Sequence, residues 1–325
     1  MKDNFWKALT HPILALAPMA NVTDAAFRQI IAKYGKPDVM FTEFTSCDGL
    51  VSRGREKLLI DLKFSADERP IVAQFFGSNP ENFFHCAKLA RELGFDGIDI
   101  NMGCPDRAVE KQGAGAALIK NPRLAREIIA AAKEGAGSAS RQMPVSVKTR
   151  LGYNNIELDE WLPVLLETNL AAITIHARTR KEMSAVPAHW DSVKRAVEIR
   201  NQMNSRTLIL GNGDVKDSTE ALLRIKETGC DGVMIGRGIF GNPWLFSSAR
   251  DYRKVELPEK LRVMLEHTLL FEKLFQNQKN FDVMKKHYKA YVSGFDGAKE
   301  LRLKLMESRT GEQIRDILVK HMYVV

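Results

Sequence analysis

The amino-acid sequence predicts an α/β protein, a (β/α)8 TIM barrel followed by a small all-helical C-terminal domain. Three observations carry that reading. Eight short runs, apolar on both faces as buried parallel strands are, recur along roughly the first 240 residues. Helix-start and helix-stop residues separate them, so strand and helix alternate over about the 250 residues of a typical barrel. Beyond Pro258 the strand signals cease and Lys-rich helical stretches take over. A doubly wound sheet shares the alternation, but the count of eight favours the barrel.

In chain order the strand runs are Ile13–Met19, Val39–Phe44, Ile71–Phe76, Gly97–Met102, Val145–Thr149, Ala172–Ala177, Thr207–Leu210 and Gly232–Ile235. Thr23 is placed to cap a helix that Gly35 ends. At Asn79-Pro80 and Asn121-Pro122 the Asn can accept a free N–H of the first turn, and Pro, with no N–H to lose, starts the helix. Gly94 and Gly135 close those two helices, and Ser218 and Gly229 bracket another. Four helices are expected after the barrel: Glu259–Asn277, Phe281–Ser293, Ala298–Glu307 and Gly311–Val319. In the second of these, Phe281, Met284, Tyr288 and Tyr291 fall on one apolar face, with Lys285, Lys286 and Lys289 around the rest. The barrel therefore occupies residues 1–250 and the helical domain residues 255–325, joined near Lys254–Pro258. The short Gly135–Ser140 loop is the only low-complexity stretch.

Composition narrows the function. The 325 residues, 45% of them hydrophobic, suffice for a large core. No run approaches the ~18 apolar residues of a membrane helix. Lys2 and Lys7 before Ile13–Ala17 faintly echo a signal peptide, but His11-Pro12 interrupts the segment and the apolar part is short, so a first core strand and a cytoplasmic protein are expected. Cys47, Cys86, Cys104 and Cys230 lie far apart without a C-x-x-C pair, which argues against a zinc site or a disulfide framework. The net charge is +8, and residues 251–325 hold 15 Lys and Arg against 11 Asp and Glu. Half of the excess thus sits in under a quarter of the chain, which suits a polyanionic partner as well as a merely soluble basic surface.

Barrel chemistry belongs at the C-terminal ends of the strands. Read in order, those ends carry Ala17-Pro18-Met19-Ala20, Glu43, Gln74, Asn101 with Cys104, Lys148 with Arg150, His176 with Arg178, Gly211-Asn212-Gly213-Asp214, and Gly236-Arg237-Gly238. Each alone is commonly structural; their shared position is the signal. The two glycine-bearing ends are adjacent, where barrels hold phosphate on backbone N–H groups, and Arg237 can pair with the anion. Lys148 and His176 face the mouth, where a cation can stabilise negative charge on a reduced flavin ring and Gln74 can bond a ring edge. Cys104, between Gly103 and Pro105 at the mouth of the fourth strand, can donate a proton to a substrate lying there; the plain alternative is a small buried hydrophobe.

These residues resemble the tRNA-dihydrouridine synthases, flavoproteins that reduce uridine in tRNA. The likeness runs from Leu16-Ala17-Pro18-Met19-Ala20 to Phe246. It includes Asn101-Met102-Gly103-Cys104-Pro105, Gly113-Ala114-Gly115, Lys148-Thr149-Arg150-Leu151-Gly152, His176-Ala177-Arg178-Thr179-Arg180, Asn212-Gly213-Asp214 and Gly236-Arg237-Gly238. The resemblance implies that Pro18, Met19, Ala20, Gln74, Lys148, Asn212, Gly213, Asp214, Gly236 and Arg237 contact FMN. It sets His176 beside the flavin and Cys104 on the catalytic acid. It also implies NADPH as reductant and tRNA as substrate, gripped by the C-terminal helices, where Lys285-Lys286-His287-Tyr288 loosely matches a basic helix. The Lys181–His189 loop follows no subfamily pattern, so the target uridine is left open.

Residues and resemblance together give a mechanism: hydride from flavin to uracil C6, and a proton from Cys104 to C5 of a uridine swung out of its stack. Asn101 is expected on the uracil or its ribose; Arg178, Arg180, Lys285, Lys286 and Lys289 are expected on the RNA. No feature calls for an obligate protein partner. Two other readings are a small-molecule flavin reductase of the dihydroorotate-dehydrogenase type, which needs no basic helical tail, and a non-catalytic tRNA-binding protein, against which Cys104, Lys148 and Arg237 count.

Overall fold

Runs of β-branched and aromatic residues with few polar interruptions build β1 (Ile13–Leu16), β2 (Met40–Phe41), β3 (Thr45–Ser46), β4 (Ile71–Phe76), β5 (Gly97–Met102), β6 (Val145–Arg150), β7 (Ala172–His176), β8 (Leu208–Asn212) and β9 (Gly232–Ile235). The computed structural model describes residues 4–10, 12–137, 143–276 and 278–320. The strands hydrogen-bond in the order β1-β9-β8-β7-β6-β5-β4-β2, with β3 also on β4. Every pairing is parallel. The ring closes where Leu16 N–H donates to Val39 O at 3.0 Å and Asp38 N–H donates to Leu14 O at 2.9 Å. This is the expected parallel barrel, with the inward and outward side chains of most strands both buried.

The expected second strand, Val39–Phe44, is broken into β2 and β3. The Thr42 hydroxyl accepts the Gln74 N–H at 3.0 Å, and Glu43 is turned to accept the Asn21 N–H. These two pieces share one barrel position.

Outside the ring lie the helices Ala25–Tyr34, Pro80–Glu92, Pro122–Gly135, Leu158–Leu166, Trp190–Gln202 and Ser218–Thr228. Asn79 and Asn121 cap as expected, accepting Glu81 and Leu124 N–H. Two caps fall one residue from their expected place. Asp24, not Thr23, accepts the Phe27 N–H at 3.0 Å, and Asp217, not Ser218, accepts the Glu220 N–H at 2.8 Å. A carboxylate suits the positive end of the helix dipole, which leaves the Thr23 hydroxyl to accept the Met19 N–H at 2.9 Å.

The eightfold alternation fails at its last step. After β9 come only two 3-10 turns, Arg237–Ile239 and Tyr252–Lys254, before the long helix Leu257–Phe275. That helix, with Val283–Tyr291, Ala298–Glu307 and Gly311–Lys320, forms the helical region. Its first helix ends at Phe275, short of the expected Asn277, which lies outside the described residues, as do residues 138–140 of the expected Gly135–Ser140 loop. The apolar core of this region, with Leu261, Met264, Phe271, Met284, Tyr288 and Leu305 fully buried or nearly so, continues into Ala25, Ala26 and Ile30 of the barrel helix Ala25–Tyr34. The helical region is therefore packed on the side of the barrel. Among the described residues no helix is long and apolar enough to cross a membrane.

Candidate active site

A cavity of about 200 Å³ opens where β6, β7, β8, β9 and β1 end. Nine of the residues expected at a flavin line it, Pro18, Met19, Lys148, His176, Asn212, Gly213, Asp214, Gly236 and Arg237, and so do Ala17 and Arg178. Local structure explains their convergence. Gly213 has φ +138°, a conformation side chains rarely adopt, so the chain turns sharply after β8. A Cβ on Gly238 would meet Val215 O at 2.7 Å and Lys216 O at 2.8 Å, so glycine lets the loops after β8 and β9 touch. Asn212 Nδ2 donates to Met234 O at 2.8 Å and ties the two strand ends together.

Charge is separated across this cavity. At one end Asp214 accepts from Arg178 and, at 3.1 Å, from Arg237. Burial raises the Asp214 carboxyl, but the hydrogen bond and charge of Arg178 outweigh it and hold its pKa below the ordinary range. Arg237 stays largely exposed, its side chain 66% accessible, so its guanidinium can turn to an incoming anion. At the other end stands Lys148, whose pKa is pushed down to about 8 by burial and then by the Arg150 charge. No carboxylate pairs with it among the described residues, and it remains mostly cationic at neutral pH. His176 is held neutral by burial first and then by the charges of Lys148, Arg150, Arg178 and Arg237. This donor set fits a long ligand with a phosphate at one end and a ring that gains negative charge at the other.

Cys104 stands on the loop after β5, beside Lys148 and half-buried. Burial is the largest influence and raises its thiol pKa, so the sulfur keeps its proton at neutral pH. The loop is pinned on both sides. Asn101 Oδ1 accepts Gly103 N–H at 3.1 Å and Cys104 N–H at 2.9 Å. Arg150 Nε donates to Gly103 O at 2.7 Å, and its Nη1 donates to Thr179 O and Met183 O. Asn101 thus holds its own loop, and its Nδ2 also donates to Gln74 Oε1 at 3.0 Å. Gln74 is fully buried and lies off the cavity. Ala20 lines a different cavity, of about 320 Å³, with Glu43, Asp61 and Lys279.

The expected RNA contacts scatter. Arg178 is buried in the first cavity, bonded to Asp214 and 3.3 Å from His176 Nε2, so it faces the ligand end and not an outer surface. Arg180 is taken up by Glu110, at 2.7 Å from its Nε, with Tyr153 beneath it. Lys285 is drawn to Asp282 at 2.7 Å, whereas Lys286 and Lys289 are exposed. Arg150 is legible in the sequence only as a strand end, and Glu110, Asp99 and Ser184 are not legible there as parts of a site. Their partners are 29 or more residues away or lie on other strands. Among the described residues no cluster of His, Cys, Asp and Glu is placed to hold a metal ion.

Known proteins share both the sequence and the barrel. Residues 15–322 match the family model described as dihydrouridine synthase. A protein of Staphylococcus epidermidis named as a probable tRNA-dihydrouridine synthase is 42% identical over 322 residues, covering 98% of this chain and 96% of that one. A probable tRNA-dihydrouridine synthase 2 of Bacillus subtilis is 40% identical over 321 residues, again covering 98% and 96%. Among solved structures, a 2-naphthoyl-CoA reductase superposes with a TM-score of 0.56 at 10% identity, covering 73% of this chain and 49% of that one. Histamine dehydrogenase from Rhizobium sp. 4-9 gives 0.51 at 15% identity, covering 81% and 48%. Likeness this distant shows the barrel fold alone.

Proposed function

The chain belongs to the dihydrouridine synthase family, and from that premise we propose that it reduces the C5–C6 bond of uridine in tRNA with bound FMN and NADPH. The observation that carries this reading is a half-buried thiol, Cys104, on the loop after β5, the strand next to a cavity with an exposed Arg at one end and an unpaired Lys at the other. FMN, when bound, supplies the hydride. Arg237 and the N–H groups of the Gly213 and Gly236 loops hold its phosphate, with Asp214 keeping Arg178 and Arg237 in place. Lys148 offers its positive charge to the ring, and neutral His176 offers a hydrogen bond without repelling Lys148. Cys104 gives its proton to C5 of the uracil. The base has to leave its stack to reach the barrel mouth.

The test is optical and then chemical. The purified protein is expected to show a flavin spectrum that NADPH bleaches and that unmodified tRNA, not free uridine or orotate, restores. Dihydrouridine should then be found in that tRNA. Restoration by a small molecule alone would favour a reductase without an RNA substrate, and a colourless protein that binds tRNA would remove the catalytic reading.

A further inference from the structure

Behind Cys104 runs a line of buried hydrogen bonds whose far end is Asp99. Gln74, Asp99 and Ser146 are register partners on β4, β5 and β6, so they meet in one layer inside the barrel. Asp99 is fully buried. Its Oδ1 accepts from Ser146 Oγ and its Oδ2 from Gln74 Nε2, both at 2.6 Å. Gln74 Oε1 then accepts from Asn101 Nδ2, and Asn101 Oδ1 accepts the Gly103 and Cys104 N–H groups.

The two ends of this line have fixed polarity. Backbone N–H groups can only donate, and an ionised carboxylate can only accept. Between them the Gln74 and Asn101 amides have one arrangement that satisfies every bond. Turning either amide over sets donor against donor and acceptor against acceptor in a dry layer, where each unmade bond is costly. Sequence spacing on β5 shows only that Asp99 and Asn101 share a face.

We propose that Asp99 is a positioning residue that sets the direction of the Gln74–Asn101 hydrogen-bond line and thereby holds the Cys104 loop. Its consequence for uridine reduction rests on the reading of Cys104 as proton donor, but the placement of the loop can be measured without tRNA. Burial pushes Asp99 up to about 6, against the bonds from Ser146 and Gln74 and the Lys148 charge, so at neutral pH the carboxylate is the acceptor the line needs.

The experiment reverses the line. Asn101→Asp keeps an acceptor for the two backbone N–H groups but turns an oxygen towards Gln74. Gln74 must then present its own oxygen to Asp99, where two acceptors collide. Adding Asp99→Asn supplies an NH2 group there and makes the reversed line consistent from end to end. The readout is alkylation of Cys104 by iodoacetamide in the full chain, since Cys47, Cys86 and Cys230 are buried. Asn101→Asp alone should raise the alkylation rate about tenfold, the scale of one broken buried bond. The Asp99→Asn/Asn101→Asp pair should return it to near the parental rate, while Asp99→Ala/Asn101→Asp, which removes the same charge but offers no donor, should not. Should the alanine pair fail to fold, Gln74→Met serves: cutting the middle of the line must raise the rate and abolish the rescue by Asp99→Asn. Equal rescue by Asn and Ala, parental reactivity in Asn101→Asp, or rescue that persists with Gln74→Met would overturn the proposal. None of these outcomes depends on whether uridine is the substrate.

Discussion

At the scale of single residues the proposed chemistry turns on one sulfur. Burial keeps Cys104 protonated, a poor nucleophile but a competent acid. Replacing it with Ala should leave flavin binding and NADPH oxidation intact and slow single-turnover oxidation of the reduced protein by tRNA by ~10²–10⁴-fold, the usual worth of general acid catalysis. An unchanged rate would remove Cys104 from the reaction. Asn101 and Gln74 look from the sequence like ligand contacts, since each sits at a strand end. In the structure their amides also bond one another, Asp99 and the Cys104 loop.

At the scale of elements, Gly238 lets the loops after β8 and β9 meet, and together they are the proposed anion seat. Arg237→Ala removes the exposed guanidinium of that seat without touching the barrel core. Apoprotein titrated with FMN should show a dissociation constant raised roughly ten- to a hundredfold, the equivalent of about 1.5–3 kcal/mol for one charge-assisted bond. Equal constants would place the phosphate elsewhere. Within the helical region, His267 and His287 are buried with neither ring nitrogen bonded to a described group. His287 stacks on Phe27 of the barrel helix at 4.9 Å and meets His267 at 4.7 Å. Burial depresses both, His267 to about 3 and His287 well below its ordinary value. A base depressed in the native state costs nothing above the unfolded pKa of about 6.5 and loses stability as pH falls below it, because the unfolded chain takes up the proton. His287→Leu should therefore lessen the drop in unfolding free energy between pH 7.5 and 5.5 by about 1.4 kcal/mol, one proton over one pH unit. Denaturant melts at the two pH values measure it, and parallel drops in variant and parent would mean that His287 titrates normally. Asp24 and Asp99, raised to about 6, act in the opposite sense, but equally in both proteins.

At the scale of the whole molecule, the helical region is joined to the barrel by packing and by charge. Its core runs into the helix Ala25–Tyr34, and Lys279 reaches Glu43 and Asp61 of the barrel, the latter at 2.8 Å. Burial works against the Lys279 charge, but Glu43 and Asp61 outweigh it and raise its pKa. On the outer face Lys286 and Lys289 point to solvent while Lys285 is drawn to Asp282. The first two are the cations free to meet RNA phosphates. Changing both to Gln should weaken tRNA binding and leave FMN binding unaltered. The salt dependence should flatten by about 0.7–0.9 log units per log unit of salt for each phosphate that is no longer neutralised. Identical affinity and slope across a salt series would move the RNA-binding role to other basic residues of this face.

Eight apolar runs of strand length, the change to Lys-rich helices and the polar residues at the strand ends are legible along the chain. Apolar runs of strand length separated by Asn-Pro starts and Gly stops can be satisfied only by buried strands with helices between them. Fixed addresses at strand ends then bring Lys148, His176, Asn212 and Arg237 together in any such barrel. What tertiary structure decided is how each polar side chain is satisfied. The break between β2 and β3, the direction of the Asp99–Gln74–Asn101 line, the capture of Arg180 by Glu110 and the burial of Arg178 all depend on partners 22 to 70 residues away. Hydrophobic periodicity is a local property, legible along one strand or helix. A hydrogen bond between strands is set by the register of distant stretches, and the packing of Leu257–Phe275 against Ala25–Tyr34 is likewise a relation between distant elements.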